Sequence, residues 1–284
     1  MAPYLLVFPA LFILFVFVLL PLILAIVFSL ADWDLLSVEV EWVALDNYIR
    51  LFQDREFWQA IENTLVFTGV MVPVTVALAV ALAVLLDTGV RGIRLFRTMM
   101  FVPYLTPMAA ISTLWVWMFD QHFGIINWAL GSVGWHGIPW LTRPGWAMAA
   151  LIIMKIWKVT GYYAILLLAG LQNIPPSLLE AASIDGAGRL RVFLRITLPL
   201  LSPYVLFVVV IAVISAFQNF DQIYMMTRGG PAGSTTTIIY YLYQYGFEFF
   251  EVGYASSVAL LLFVLLFALT WLQFAVSRKW VHYG

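Results

Sequence analysis

The sequence contains no cysteine. Disulfides, thiolate catalysis and cysteine-based metal sites are therefore excluded. Charge is scarce too: Asp, Glu, Lys and Arg form 10% of the 284 residues and balance to a net −1. No bulk basic surface advertises nucleic acid. His122, His136 and His282 stand in separate segments with no metal-ligand spacing. The phosphate-loop pattern G-x-x-x-x-G-K-[ST] is missing as well. RGGPAGST (228–235) approaches it but lacks the lysine, and reads instead as a turn ahead of an external interfacial helix.

Apolar residues are what the chain has in quantity. They make up 64% of it, and the mean hydropathy is +0.98. A hydrocarbon core about 30 Å thick needs about 20 apolar residues in a helix. Six such stretches can be drawn, at roughly 5–30, 62–86, 98–119, 146–171, 204–226 and 255–277. The fold class expected is an all-α integral membrane protein, one transmembrane domain over 1–284. The N-terminal run precedes any basic residue and is longer than a signal-peptide core, so it reads as a retained first span. Prolines inside the first three spans (Pro9, Pro21, Pro73, Pro103, Pro107) imply kinks, either for packing or to line a pathway.

Lys and Arg set the orientation. Arg91, Arg94 and Arg97 follow the second stretch, Arg189, Arg191 and Arg195 the fourth, and Arg278 and Lys279 the sixth. Arg50, Arg55, Arg143 and Arg228 are spread over the opposite side. The denser side should be cytoplasmic, with both termini inside. The outer segments are rich in Trp, Tyr and acids. Residues 45–63 look like one amphipathic interfacial helix, and Trp115, Trp117, Trp128, Trp135, Trp140 and Trp146 form an aromatic belt.

One cytoplasmic stretch, SLLEAASIDGAGRLRVFLRITLPLLSP (177–203), is unusually polar for this chain. Pro175 and Pro176 stop the fourth span. Ser177 and Glu180 have capping-box spacing. Gly186 falls where a left-handed C-cap belongs. A second amphipathic segment runs from Arg189 to about Pro199, with its arginines able to face water. A connector needs only a few residues, so this capped helix–turn–helix reads as an element offered to a soluble partner.

Glu180-Ala181-Ala182, Asp185-Gly186-Ala187, Ile196, Pro199 and Pro203 resemble the EAA loop of ATP-binding cassette (ABC) importer permeases. Residues 45–67, 168–175 and 228–243 resemble the carbohydrate-uptake group, the maltose type above all, with relatives that carry glycerol 3-phosphate or polyols looking alike. The resemblance implies that residues 177–203 form a cytoplasmic coupling helix between spans 4 and 5. Glu180, Ala181, Ala182, Asp185 and Gly186 would then meet the ATPase. The partners it implies are a second homologous permease, two cytoplasmic ATPase subunits carrying ATP and Mg²⁺, an extracytoplasmic solute-binding protein and membrane lipid. No cofactor is expected on this chain, and it should not be an enzyme.

Polar groups inside spans are costly and point to a pathway. KIWKVTGYY (155–163) places Lys155 and Lys158 on one face, and SAFQNFDQIY (215–224) supplies Gln218, Asn219, Asp221 and Gln222. The two spans are expected to pack together, with Lys158 and Asp221 pairing. Tyr162, Gln218 and Asn219 suit a sugar's hydroxyls and ring edges, and match by resemblance the sugar-contacting positions of the maltose type. Glue between helices would use the same Gln and Asn, and the lysines could snorkel. An intramembrane transferase would need a convergent acid, histidine or metal cluster, which is missing. A passive channel would leave the capped cytoplasmic helix unexplained.

Overall fold

The computed structural model describes residues 2–34, 39–88, 90–135 and 137–282. His136 lies outside them. In chain order the helices are α1 (Ala2–Leu14), α2 (Leu20–Ser29), α3 (Asp46–Gln53), α4 (Arg55–Leu86), α5 (Ile93–Leu105), α6 (Met108–Met118), α7 (Ile125–Ser132) and α8 (Trp146–Gln172). They continue with α9 (Pro176–Ile184), α10 (Arg189–Val192), α11 (Leu198–Phe217), α12 (Asp221–Met226), α13 (Ile238–Tyr243) and α14 (Val252–Ser277). Two short strands, β1 (Ala31–Asp32) and β2 (Glu41–Trp42), pair antiparallel with Ala31 opposite Trp42. Among the described residues five helices are long and apolar enough to cross a membrane, or six if α5 and α6 count as one broken span.

Three boundaries differ from those expected. The third span is not one rod: α5 and α6 meet at a 95° bend. Thr106 precedes Pro107, and a residue before proline is pushed out of the helical region; it is extended at φ −72°, ψ 136°. The fifth span begins at Arg189 rather than near 204 and ends at Phe217 rather than 226, so the arginine segment is the first part of the span instead of a separate helix. Residues 45–63 are likewise two helices, broken at Asp54, whose carboxylate accepts the Glu56 N–H at 2.8 Å and starts α4.

Prolines also explain two widened turns. π-Helical turns occupy Phe15–Leu19 and Phe193–Thr197, and in each case a proline, Pro21 or Pro199, follows two residues later. Proline has no N–H and its ring crowds the carbonyl four residues back. That carbonyl belongs to Phe17 or Arg195, the centre of each widened turn, so the helix continues without a break.

The described chain divides into two compact units, residues 1–61 with 238–267, and residues 62–237 with 268–284. In the first, the buried Asn47 side chain donates to the Ser29 and Ala31 carbonyls at 3.0 and 2.9 Å, tying α3 to the end of α2. A Cβ at Gly253 would strike the Ala31 carbonyl oxygen, so the first turn of α14 carries a glycine there. The apolar window of Leu6–Ser29 is not buried within the chain at all. In the second unit α8 is the central element, with two thirds (67%) of its apolar window buried. Small residues let its neighbours approach. A Cβ at Gly161 would collide with the Met100 carbonyl oxygen of α5, and one at Gly170 would sit 2.5 Å from the Tyr204 ring of α11.

Candidate functional site

The polar stretch after α8 forms a defined elbow. Pro175 takes the N-cap position and Pro176 the first helical position of α9, with no side-chain cap. The expected Ser177–Glu180 capping box is therefore not formed. Proline needs no donor partner at the first helical position, so the helix starts earlier and Ser177 is already inside it. Glu180, Ala181 and Asp185 are exposed, while Ala182 is buried.

The other end of α9 matches expectation closely. Gly186 has φ +73°, its N–H donates to the Ser183 carbonyl at 3.1 Å, and the Ala187 N–H donates to the Ala182 carbonyl at 3.0 Å. These two bonds make a Schellman motif. A Cβ at Gly186 would meet nothing within 4 Å, so glycine answers to backbone conformation here and not to crowding within the chain. Behind the elbow a cavity is lined by Asp87 of the turn after α4, Leu171 of α8, Leu179 and Ser183 of α9, and Arg189 of α10.

The candidate pathway residues fall around the middle of α8. Tyr162 stacks on Tyr104 of α5 with ring centroids 4.0 Å apart and planes within 7°. The α8–α11 packing brings Asn219, in the turn after α11, to Lys155, whose Nζ donates to Asn219 Oδ1 at 3.0 Å. Asn219 Nδ2 donates to Gln222 Oε1 at 3.0 Å, and Gln222 Nε2 to the Leu151 carbonyl at 2.6 Å. All three side chains are buried, whereas Gln218 and Asp221 beside them are exposed.

Lys158 does not pair with Asp221. Its ammonium donates to the carbonyl oxygens of Pro103 at 2.9 Å and Thr106 at 2.5 Å, with Tyr104 O at 3.5 Å. The broken third span leaves these acceptors without amide donors, and they outcompete a carboxylate exposed to water.

A further polar cluster was not anticipated. Tyr241 donates to Asp54 Oδ2 at 2.5 Å, Tyr254 reaches the same oxygen at 3.2 Å, and Tyr245 at 3.4 Å. Arg50 pairs with Glu251 at 2.6 Å and lies 4.3 Å over the Tyr254 ring. Burial pushes the Asp54 carboxyl up, but hydrogen bonds from Tyr241, the Glu56 N–H and Tyr254 outweigh it and hold the group below its ordinary value. The Glu251 hydrogen bond raises the Arg50 guanidinium further. The partners lie almost 200 positions apart in the chain; only the density of tyrosines over 240–245 could have flagged them.

Residues 74–282 match the family model described as the binding-protein-dependent transport system inner membrane component. That match covers well over half of the chain, which therefore belongs to this family of multi-pass inner-membrane permeases of ABC importers. Among curated relatives, the chain is 36% identical over 284 residues to the sn-glycerol-3-phosphate transport system permease protein UgpA of Yersinia pseudotuberculosis, covering 99% of this chain and 96% of that one. It is 38% identical over 277 residues to the lactose transport system permease protein LacF of Rhizobium radiobacter, covering 95% and 92%. In fold it resembles a bacterial alginate ABC transporter, solved in complex with a periplasmic protein bound to an alginate pentasaccharide, at a TM-score of 0.88 and 24% identity over 100% of this chain and 96% of that one.

Proposed function

We propose that this permease carries a sugar or oligosaccharide and is driven through the α9 elbow. The observation that carries the reading is that elbow: a short helix, stopped by a Schellman motif, with Glu180, Ala181 and Asp185 on its exposed surface. A rigid exposed helix suits insertion into a groove of another protein. In this reading two cytoplasmic ATPase subunits, with ATP and Mg²⁺, push on it, and Ala182 and Gly186 keep its backbone in register. A second homologous permease supplies the other half of the pathway, and a solute-binding protein delivers the cargo from outside. The distribution of arginines supports both termini on the cytoplasmic side.

Tyr162, Gln218, Asn219 and Asp221 would border the solute. The stacked Tyr104–Tyr162 pair offers ring faces, and Gln218 and Asp221 offer exposed polar groups in and just after the turn beyond α11. A second cargo, glycerol 3-phosphate, is favoured by the likeness to UgpA over 99% of this chain.

The test is uptake into proteoliposomes holding the assembled transporter. Purified binding protein would be loaded with either lactose or glycerol 3-phosphate. Sugar-dependent uptake that Tyr162→Ala and Gln218→Ala each reduce about tenfold, with assembly intact, is the expected result. A defined contact of this kind contributes on the order of 1–1.5 kcal/mol. Uptake of the phosphate ester alone would establish the second reading. Unchanged uptake in both variants would remove these residues from the pathway.

A further inference from the structure

The third span is broken in its middle and the fifth gives way to a turn before the short α12, and α8 meets both places. A continuous membrane helix satisfies its own carbonyls; a broken one needs donors from elsewhere. At the first break, α5 ends at Leu105 with Thr106 after it, Pro107 has no N–H, and the chain turns by 95°. The C-terminal end of a helix also carries partial negative charge. Lys158 supplies what is missing. Its ammonium has three N–H groups, and three carbonyl oxygens surround it at 2.5, 2.9 and 3.5 Å.

The second place is the turn at residues 218–220, where the fifth span ends and before α12 begins. Here Lys155, one turn earlier on the same helix, donates to Asn219. The relay from Asn219 to Gln222 and back to the Leu151 carbonyl ties α12 to α8 as well. A lysine at mid-membrane costs about 2.5–3.5 kcal/mol. A hydrogen bond made by a charged group contributes about 1.5–3 kcal/mol, so the two or three bonds of Lys158 offset the cost without any anionic ligand. Lys158 has no donor left over for a solute.

We propose that Lys155 and Lys158 are positioning residues. One turn of α8 holds the broken third span and the turn that follows the fifth, and with them the Tyr104–Tyr162 stack and the Gln218–Asn219 turn, while neither ammonium touches the transported solute. The proposal rests on the carbonyl and amide geometry and stands whichever cargo is carried.

Pulsed electron–electron resonance on the full transporter in lipid nanodiscs, without nucleotide, tests it. The chain has no cysteine, so spin labels introduced in a complex with cysteine-free partners report only the chosen sites. One pair replaces Arg94 and Trp117, exposed on α5 and α6; another replaces Phe207 and Met225, exposed on α11 and α12. Lys158→Met should lengthen and broaden the first distance by about 5–10 Å, the difference between a right-angle bend and a straighter span of that length, and leave the second alone. Lys155→Met should do the reverse. Lys158→Arg, which keeps a charged donor, should retain the native distances.

If Lys158→Met fails to accumulate, assembly and native distances in Lys158→Arg support the proposal, and failure of Lys158→Arg as well overturns it. Unchanged distances in Lys158→Met, or a defect confined to uptake of glycerol 3-phosphate and absent for lactose, would also overturn it, because a solute contact would behave that way.

Discussion

A methyl group at Gly161 would land on the Met100 carbonyl oxygen, which is backbone and cannot swing aside. Alanine there gains about 1 kcal/mol of helix propensity but overpacks a close helix contact, at about 1–3 kcal/mol. The second term wins. Gly161→Ala should lower the midpoint of thermal unfolding in detergent, and the same substitution at Gly131, where a Cβ meets nothing within 4 Å, should not lower it. Equal midpoints would contradict the close α5–α8 approach. At this scale the sequence is a poor guide. Lys158 reads from composition as a pathway cation or a snorkelling side chain, and its partners are three backbone carbonyls that no side-chain pattern announces. Tyr104 is hidden in the sequence for the same reason: between Pro103 and Leu105 it looks like one more apolar residue of a span, and only the fold brings Tyr162 onto its ring.

Elements were more legible where a residue has one physical consequence. Gly186 in a left-handed cap follows from backbone sterics alone, so the C-terminal end of the elbow helix is legible in the sequence. Its N-terminal cap is not, because Pro176 and Ser177 both signal a helix start and the proline prevails by one turn position. Pro103 and Pro107 announced a distortion in the third span but not its size, which depends on whether an outside donor such as Lys158 is at hand. The prediction at this scale concerns Gly186. Asparagine tolerates the left-handed region and tryptophan does not, at about 1–2 kcal/mol of strain, and its ring would project into the open space over the elbow. Gly186→Asn should keep uptake near the native level. Gly186→Trp should reduce uptake about tenfold or more in proteoliposomes while the ATPase still hydrolyses ATP. Equal uptake by the two variants would show that the elbow's shape is immaterial.

At the scale of the whole molecule, the broad class was written in composition: apolar runs of span length, few charges and arginines gathered on one side. Membership of the binding-protein-dependent permease family agrees with it. The first span keeps its apolar side chains unburied within the chain, and α14 is nearly as bare, with 11% of its apolar window buried. Such surfaces are at home against lipid or against a second permease, which in the proposal above would complete the pathway. What drives the assembly is the central claim, and contact at the elbow decides it. A photo-activated cross-linker on a single cysteine replacing Glu180 in the assembled transporter gives the direct measurement. The account predicts a cross-linked product containing the ATPase subunit, with a yield that changes when ATP is added. A label that reacts only with lipid, or that a membrane-impermeant reagent reaches from the external side, would contradict it.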